Sequence, residues 1–194
     1  MIIWINGAFG SGKTQTAYEL SRRIKNSYVY DPENAGYFIC KNIPKVIAEE
    51  DFQDYSMWRS FNFDMLDYIA QHYDGTIIVP MTIANKIYYN ELIVALSEKY
   101  ELKHFILCAE KETILKRLAS RFESDKSWAA LQIDRCLRAF DGDINGYKIQ
   151  TDKMNICQVA EKIAGLSCII LPKDDRSGPR KFWDRLVTKY RHIR

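Results

Sequence analysis

The chain has 194 residues, of which 47% are hydrophobic and 27% are charged. This length favours one domain with an appendage over two full domains, and the composition excludes an extensively disordered or fibrous chain. Five cysteines without CxxC spacing indicate free thiols rather than a disulfide framework, which predicts a reducing, cytoplasmic setting. The first residues lack the charged segment of a signal peptide, and no apolar run approaches the roughly 18 residues of a membrane span.

Short apolar runs alternate with amphipathic stretches along the chain. The predicted strands cover residues 1–6, 28–30, 76–80, 104–109 and 147–151. The predicted helices cover residues 12–25, 58–73, 88–100, 113–121, 128–140 and 156–164. Strands with few polar residues that alternate with helices indicate an α/β fold with a parallel five-stranded sheet covered on both faces. We therefore expect a core domain over residues 1–171, with a lid region at about 117–140.

The last part of the chain has a different character. Residues 173–194 contain eight Lys/Arg and three Asp/Glu, a net charge of +5 in a chain whose total is +3. After a predicted linker at 172–178, apolar residues recur at helical spacing and basic residues take most of the other positions, which predicts an amphipathic C-terminal helix. Two interpretations remain open: residues 179–194 bind an anionic membrane surface, or the helix docks on the protein's own sheet with its basic face in solvent. A nucleic-acid partner is not expected, because the body of the chain has no matching basic surface.

A glycine-rich segment follows the first predicted strand and has the complete pattern G-x-x-x-x-G-K-T. It consists of Gly7, Ala8, Phe9, Gly10, Ser11, Gly12, Lys13 and Thr14. Glycines allow close approach that a Cβ would block, so successive N–H groups surround phosphate oxygens at the start of the next helix. In this pattern the lysine reaches the β- and γ-phosphates, and the threonine hydroxyl binds Mg²⁺. The alternative, a chance match in a turn, does not explain the strand, loop and helix together, so the motif predicts a nucleoside-triphosphate site.

A carboxylate follows the second predicted strand. Asp31 comes directly after Tyr30, and in an open parallel sheet ligands bind outside the carboxyl ends of the strands. A carboxylate there is suited to accept the proton of an attacking hydroxyl or to orient Mg²⁺. The alternative is that Asp31-Pro32-Glu33 is only a turn, with the Asp31 side chain bonded to the backbone.

Arginines cluster after the fourth predicted strand. Arg117 and Arg121 lie one helical turn apart, and Arg135 and Arg138 lie on the next predicted helix. Phosphoryl transfer depends on positioning and charge neutralisation, so we expect at least one of them to contact the phosphates from a lid. For any one of these arginines, the alternative to contacting the phosphates is an ion pair with a neighbouring acidic residue.

Three further residues are candidates for acceptor binding. Arg59, beside Trp58, is suited to grip an acceptor, although a surface arginine stacked on that tryptophan is the alternative. Thr82 follows the third predicted strand. That strand ends without the acidic residue that often supports Mg²⁺ in such folds, so Thr14 is the metal ligand we assign and the second carboxylate is unassigned.

The sequence resembles the tunicamycin-resistance ATP-binding proteins of the TmrB type. The resemblance rests on the glycine-rich segment and its flanks, and on the stretches at residues 28–33, 78–82, 111–113, 127–130, 132–136 and 149–152. It runs almost end to end and is least evident between Gly36 and Tyr55. It implies a P-loop NTPase fold of the nucleoside-kinase type, with ATP and Mg²⁺ as cofactors, and it adds Asp152 to the nucleotide-binding residues.

The resemblance also implies recognition of tunicamycin, a lipid-tailed nucleoside antibiotic. It favours peripheral association of the protein with the inner face of the membrane. One hypothesis is ATP-dependent phosphorylation of a tunicamycin hydroxyl, with Asp31 as base and Lys13, Arg117 and Arg121 assisting. A second is ATP-dependent sequestration of the drug at the membrane without modification. A third is a small-metabolite kinase of ordinary metabolism.

Overall fold

A computed structural model of the chain describes residues 1–120, 124 and 126–191. Five strands form one sheet: β1 (Ile2–Gly7), β2 (Ser27–Val29), β3 (Thr76–Pro80), β4 (Leu102–Cys108) and β5 (Tyr147–Gln150). Their order is β2-β3-β1-β4-β5, and every neighbouring pair is parallel. Because β1 lies at the centre, the glycine-rich segment leaves the sheet at the middle of its carboxyl edge.

Helices connect the strands and cover both faces of the sheet. They are α1 (Lys13–Arg23), α2 (Glu33–Asn42), α3 (Ser56–His72), α4 (Lys86–Tyr89), α5 (Ala95–Lys99), α6 (Lys111–Ala119), α7 (Trp128–Leu131), α8 (Ile133–Asp141), α9 (Ile156–Leu166) and α10 (Gly178–Arg191). A π-helical segment, Asn90–Val94, joins α4 to α5, and short 3₁₀ turns occur at Lys45–Ile47 and Phe52–Asp54.

Alternate residues of β1 supply the two halves of the core. Ile2 and Trp4 point to the face that packs with α3 and α8, whereas Ile3 and Ile5 point to the face that packs with α1 and α9. All four side chains are fully buried, as a strand covered on both faces requires. The predicted parallel sheet and its helical layers are thus confirmed.

Three elements of the structure differ from the prediction. Helix α2 was not predicted, because Asp31-Pro32 suggests a turn; it packs so closely on the next segment that a Cβ on Gly36 would lie 2.5 Å from the Phe52 ring. The single helix predicted over 128–140 is two helices that meet at Gln132. The helix predicted over 88–100 starts at Lys86 and widens into the π-helical segment.

The C-terminal helix α10 docks on α1 through polar contacts. The Arg22 guanidinium donates to the Asp184 carbonyl at 3.0 Å, and the Gln15 amide donates to the Arg185 carbonyl at 3.1 Å. Arg176 bridges Asp184 to the buried Glu19 of α1. Of the two interpretations that the sequence leaves open, docking on the protein's own sheet is wrong, because ion pairs and amide contacts hold the helix to α1 instead.

The aromatic side of α10 points outward. Phe182, Trp183 and Tyr190 are 63%, 61% and 75% exposed.

Across the part of the chain that the structure describes, no helix combines the length and the apolar character needed to cross a bilayer.

Candidate functional site

The glycine-rich loop has the backbone of an anion cradle. Gly7, Gly10 and Gly12 have φ angles of 144°, 82° and 102°, which L side chains rarely adopt. A Cβ on Gly7 would lie 2.7 Å from both the Leu107 carbonyl oxygen and the Ser11 hydroxyl. The loop then enters α1, so its N–H groups and the helix amino terminus together favour a negatively charged ligand.

Side chains from the sheet fix the start of this loop. The Asn6 Oδ1 accepts hydrogen bonds from the Gly7 N–H at 2.8 Å and from the Ile83 N–H at 2.9 Å. The buried Thr82 hydroxyl donates to the Gly7 carbonyl at 2.8 Å. Thr82 therefore lies beside the phosphate loop and holds its backbone.

Lys13 lies inside the loop. Its Nζ donates to the carbonyls of Gly7 at 3.0 Å and Ala8 at 3.1 Å, and the side chain is buried. The Ser11 hydroxyl, also buried, has no protein hydrogen-bond partner within the described ranges. A cationic lysine and an unsatisfied hydroxyl in a cradle of N–H groups fit a polyphosphate.

Arg117 joins the phosphate loop to the segment after β5. Its guanidinium donates to the Ser11 carbonyl at 3.4 Å and to the Thr151 carbonyl at 2.8 Å. Beside it, the Asp152 carboxylate accepts a hydrogen bond from the Glu110 N–H at 3.0 Å. This hydrogen bond is the main reason why the pKa of Asp152 is lowered. The structure thus brings Arg117 and Asp152 together next to the loop, as the sequence predicts for nucleotide-binding residues.

A cleft of about 340 Å³ opens beside the phosphate loop. Its lining combines Lys13 and Thr14 with aromatic side chains and with three carboxylates, those of Glu33, Glu50 and Asp51. None of these three carboxylates was predicted as a site residue. The position of Glu33, two residues after Asp31, could have indicated it, whereas Glu50 and Asp51 lie in a stretch without a recognisable motif.

Asp31 lies outside this cleft. It lines a separate cavity of about 840 Å³ between α1, β2, α2 and α3. Its Oδ1 accepts a hydrogen bond from the Glu33 N–H at 3.1 Å, which is the bond that the turn interpretation predicts. Helix α2 separates the two spaces, so Asp31 and Glu33 face different sides of its first turn.

The remaining predicted site residues occupy other positions. Trp58 is fully buried and donates to the Pro32 carbonyl at 3.0 Å, while Arg59 is paired with Glu91 and lies over the Tyr88 ring. The predicted roles of Trp58 and Arg59 in acceptor binding stay predictions.

The lid arginines are not brought together by the structure. Arg135 contacts the buried Asp51 at 3.3 Å and so approaches the acidic cleft. Arg138 lines a different cavity at the ends of β4 and β5, and Arg121 lies outside the described residues. Only Arg117 and Arg135 therefore reach the surroundings of the phosphate loop in the described part of the lid.

Mg²⁺ prefers hard oxygen ligands, and this cleft supplies them. The Thr14 hydroxyl and the carboxylates of Glu33 and Asp51 line the same space. These residues fit a phosphate-bound magnesium ion, which would neutralise charge on the transferring group.

Comparisons with known proteins identify the fold and the family. No protein-family model matches the sequence, and neither does any curated protein sequence. Among solved structures, the tunicamycin resistance protein of Deinococcus radiodurans is 33% identical, with a TM-score of 0.75 over 89% of this chain and 98% of that chain.

Several kinases of solved structure match at lower identity. A sugar kinase from Janibacter sp. HTCC2649 is 18% identical, with a TM-score of 0.61 over 87% of this chain and 94% of its own. Shikimate kinase from Bacteroides thetaiotaomicron is 14% identical, with a TM-score of 0.56 over 86% of this chain and 96% of its own. These two show the fold alone, that of the P-loop kinases. On the evidence of the Deinococcus structure, the chain belongs to the tunicamycin-resistance protein family.

Proposed function

We propose that the protein is an ATP-dependent phosphotransferase that acts on a hydroxyl of tunicamycin or a related nucleoside. The observation that carries the proposal is the cleft that Lys13 and Thr14 line together with the carboxylates of Glu33 and Asp51. The family and the kinase fold support it. ATP binding by the phosphate loop and phosphoryl transfer across the cleft are the two parts of the proposed activity.

The proposed step is an in-line transfer. The acceptor hydroxyl oxygen forms a bond to the γ-phosphorus, the bond between that phosphorus and the β,γ-bridging oxygen breaks, and ADP leaves. Lys13 holds the phosphates, and Arg117 braces the loop through the Ser11 carbonyl. The hydroxyl proton passes to a carboxylate. Glu33 is the better-placed acceptor of that proton, because it shares the cleft with Lys13, and Asp31 stays the second candidate.

The charge of the cleft supports a neutral acceptor. The carboxylates of Glu33 and Glu50 would repel the phosphate of a nucleoside monophosphate, whereas Asp51 is paired with Arg135. A hydroxylated sugar or nucleoside donates hydrogen bonds to carboxylates without that penalty. This favours an alcohol acceptor over a nucleotide acceptor.

Mass spectrometry tests the proposal directly. Tunicamycin is incubated with the protein and Mg·ATP, and the expected result is a product heavier by one phosphoryl group, formed together with ADP. The charge-matched control for a Glu33 variant is Glu98→Gln, since this carboxylate is exposed on α5 and does not line the cleft. Unmodified drug that binds tightly only when ATP is present would reject the enzyme and support sequestration.

One observation favours a second activity, binding to an anionic membrane. Helix α10 holds α1 by its polar contacts and presents Phe182, Trp183 and Tyr190 to solvent, with the Arg180 side chain 68% exposed beside them. Aromatic and basic side chains together suit the interface of an anionic bilayer.

Vesicle sedimentation tests this second proposal. The protein should pellet with phosphatidylglycerol-containing vesicles, and replacing Phe182 and Trp183 by Ala should release it. The matched control replaces Val46 and Ile47, which are 92% and 64% exposed outside the helix. Equal sedimentation of both double variants, or none by the intact protein, would refute membrane binding by α10.

A further inference from the structure

Arg59 makes its contacts within the protein itself. Its side chain is only 13% exposed, and within the described chain it lines neither the phosphate cleft nor the apolar cavity. It contacts residues 50–54 instead, the segment that brings Glu50 and Asp51 into the cleft, which we call the acidic turn. We propose that Arg59 is a positioning residue that acts on the reaction by fixing the acidic turn. The inference rests on the proposed function, because this turn lines the cleft of the proposed transfer.

The Arg59 guanidinium holds the acidic turn by its backbone. Its Nη1 donates to the Gln53 carbonyl at 2.6 Å and to the Asp54 carbonyl at 3.1 Å. Its Nε is paired with the carboxylate of Glu91, which lies in the π-helical segment. Because the guanidinium is planar and its charge strengthens each hydrogen bond, these contacts fix the turn relative to α3 and to the π-helical segment.

Tyr88 of α4 supports the same turn. The Arg59 guanidinium lies over the Tyr88 ring, 4.3 Å from its centroid, and the Tyr88 hydroxyl donates to the Asp54 Oδ1 at 2.6 Å. Burial, followed by the Asp54 carboxylate, raises the pKa of Tyr88 to about 12, so the hydroxyl keeps its proton at neutral pH. We call Arg59, Tyr88 and Glu91 the clamp of the acidic turn.

The clamped turn determines the position of Asp51. The Asp51 Oδ1 accepts from the Gln53 N–H at 3.0 Å, and the Asp51 carbonyl accepts from the Asp54 N–H at 2.9 Å. The Asp51 side chain is buried, and its Oδ2 lies 3.3 Å from the Arg135 guanidinium of α8. A displaced turn would therefore move both a carboxylate of the cleft and the partner of a lid arginine.

The position of Asp51 matters for phosphoryl transfer, which depends on how charged groups are placed around the phosphates. Asp51 shares the cleft with Lys13 and Thr14, and a displacement of about 1 Å at such a site can cost about 100-fold in rate. No member of the clamp is among the described residues that line the cleft. Loss of the clamp should therefore lower kcat, whereas loss of an arginine that gripped the acceptor directly would raise KM.

Steady-state kinetics on the full chain separates these two roles. Arg59→Gln should lower kcat for phosphoryl transfer by roughly 10- to 100-fold and leave the KM for tunicamycin within about twofold. Tyr88→Phe, which removes the hydrogen bond to Asp54, should lower kcat by about 2- to 10-fold with the same KM. Tyr68→Phe is the matched control and should keep the wild-type kcat, because Tyr68 is exposed on α3 and stacks on His72.

A double-mutant cycle tests whether Arg59 acts through Asp51. Asp51→Asn keeps the side-chain shape and an oxygen that can accept from the Gln53 N–H, but it removes the charge. In this background, Arg59→Gln should lower kcat by less than about threefold further, because residues that act as a unit are not additive. Full additivity of the two effects, or a raised KM with unchanged kcat in Arg59→Gln, would overturn the proposal.

Hydrogen exchange of the Gln53 and Asp54 amides gives a readout that needs neither ATP nor drug. Both amides donate to Asp51, so Arg59→Gln should speed their exchange by at least about 10-fold, and Tyr88→Phe should speed it less. Tyr68→Phe should leave the exchange unchanged. Exchange at the wild-type rate in Arg59→Gln would overturn the proposal.

Two further measurements keep these outcomes distinct. Far-ultraviolet circular dichroism shows whether each variant is folded, and Tyr88→Phe, the milder substitution, decides the matter should Arg59→Gln not fold. Absence of phosphoryl transfer by the wild-type protein would refute the proposed function alone. The exchange rates of the acidic turn would then decide this inference.

Discussion

Asp31 and Glu33 are separated by a single residue, yet they face different spaces. The Glu33 side chain lines the cleft with Lys13 and Thr14, whereas Asp31 lines the apolar cavity. The sequence identifies Asp31 because it ends the second strand. It cannot show that the first turn of α2 rotates the next carboxylate toward the phosphate loop. We infer that Glu33 accepts the proton and that Asp31 positions the acceptor.

Glu33→Gln is expected to lower kcat for phosphoryl transfer by roughly 10²- to 10⁴-fold, the usual contribution of a general base. Asp31→Asn is expected to raise KM for the acceptor and should keep wild-type affinity for Mg·ATP. Steady-state kinetics with tunicamycin measures both effects. A wild-type kcat in Glu33→Gln with a loss in Asp31→Asn would return the role of base to Asp31.

His104 supports the phosphate loop from behind. Its Nδ1 lies 2.6 Å from the Asn145 carbonyl, and its Nε2 lies 3.2 Å from the Asn6 amide, whose oxygen holds the Gly7 N–H. A neutral ring that donates from Nδ1 and accepts at Nε2 satisfies both contacts. Burial lowers the pKa of His104 to about 4, so the ring stays neutral in the folded protein at neutral pH.

The pH dependence of stability follows from this shift. Between the unfolded pKa of 6.5 and about 4, the unfolded chain binds a proton that the folded protein does not. Stability should therefore fall by roughly 3 kcal/mol as the pH drops through this window, and this contribution should stay constant above and below it. His104→Gln should remove this component, while His72→Gln, on the exposed end of α3, should keep it. Urea unfolding at several pH values is the measurement, and an unchanged pH slope in His104→Gln would contradict the assignment.

At the scale of elements, the loop between β5 and α9 couples the nucleotide site to helix α9. The Asn155 side chain accepts from the Gln158 N–H at 3.0 Å, and the Gln158 side chain accepts from the Asn155 N–H at 2.9 Å. This capping box fixes the start of α9, where Ile156 lies 3.3 Å from the position of a Cβ on Gly12. The cap thereby also fixes one side of the phosphate loop.

Asn155→Ala should lower the free energy of unfolding by about 1 kcal/mol, because the Gln158 N–H at the helix start loses the side-chain oxygen that accepts its hydrogen bond. Chemical denaturation measures the change. Lys162→Ala, an exposed substitution on the same helix, should leave stability within about 0.5 kcal/mol. Equal effects of the two substitutions would show that the cap contributes nothing.

Sequence patterns predict the elements that obey a clear period. The strands β1, β3 and β4 are continuous apolar runs, and their positions agree with the prediction within two residues. Helix α2 lacks such a signal, since its place depends on the packing of Gly36 against Phe52, which is a tertiary contact. The orientation of α10 was also beyond prediction. Its aromatic residues suggest burial, but the ion pairs of Arg176 with Glu19 and Asp184 turn its polar side inward.

For the whole molecule, the parallel sheet gathers the site at one edge. The phosphate loop leaves β1 at the centre, Asp31 follows β2 and the segment with Thr151 and Asp152 follows β5. These positions were predictable because the carboxyl ends of parallel strands meet at one edge. The carboxylates of the cleft were not predictable. Glu50 and Asp51 come from an irregular segment that only the fold brings into the same cleft as Lys13.

Titration calorimetry with Mg·ATP tests the central claim most directly, because every proposed activity depends on the phosphate loop. The account predicts saturable binding of one nucleotide per chain. It also predicts that Lys13→Ala weakens binding by roughly 10- to 100-fold, the loss of charge-assisted hydrogen bonds to phosphate, while Lys111→Ala on the surface does not. Absence of any heat from ATP, ADP or GTP with magnesium, or unchanged affinity in Lys13→Ala, would contradict it.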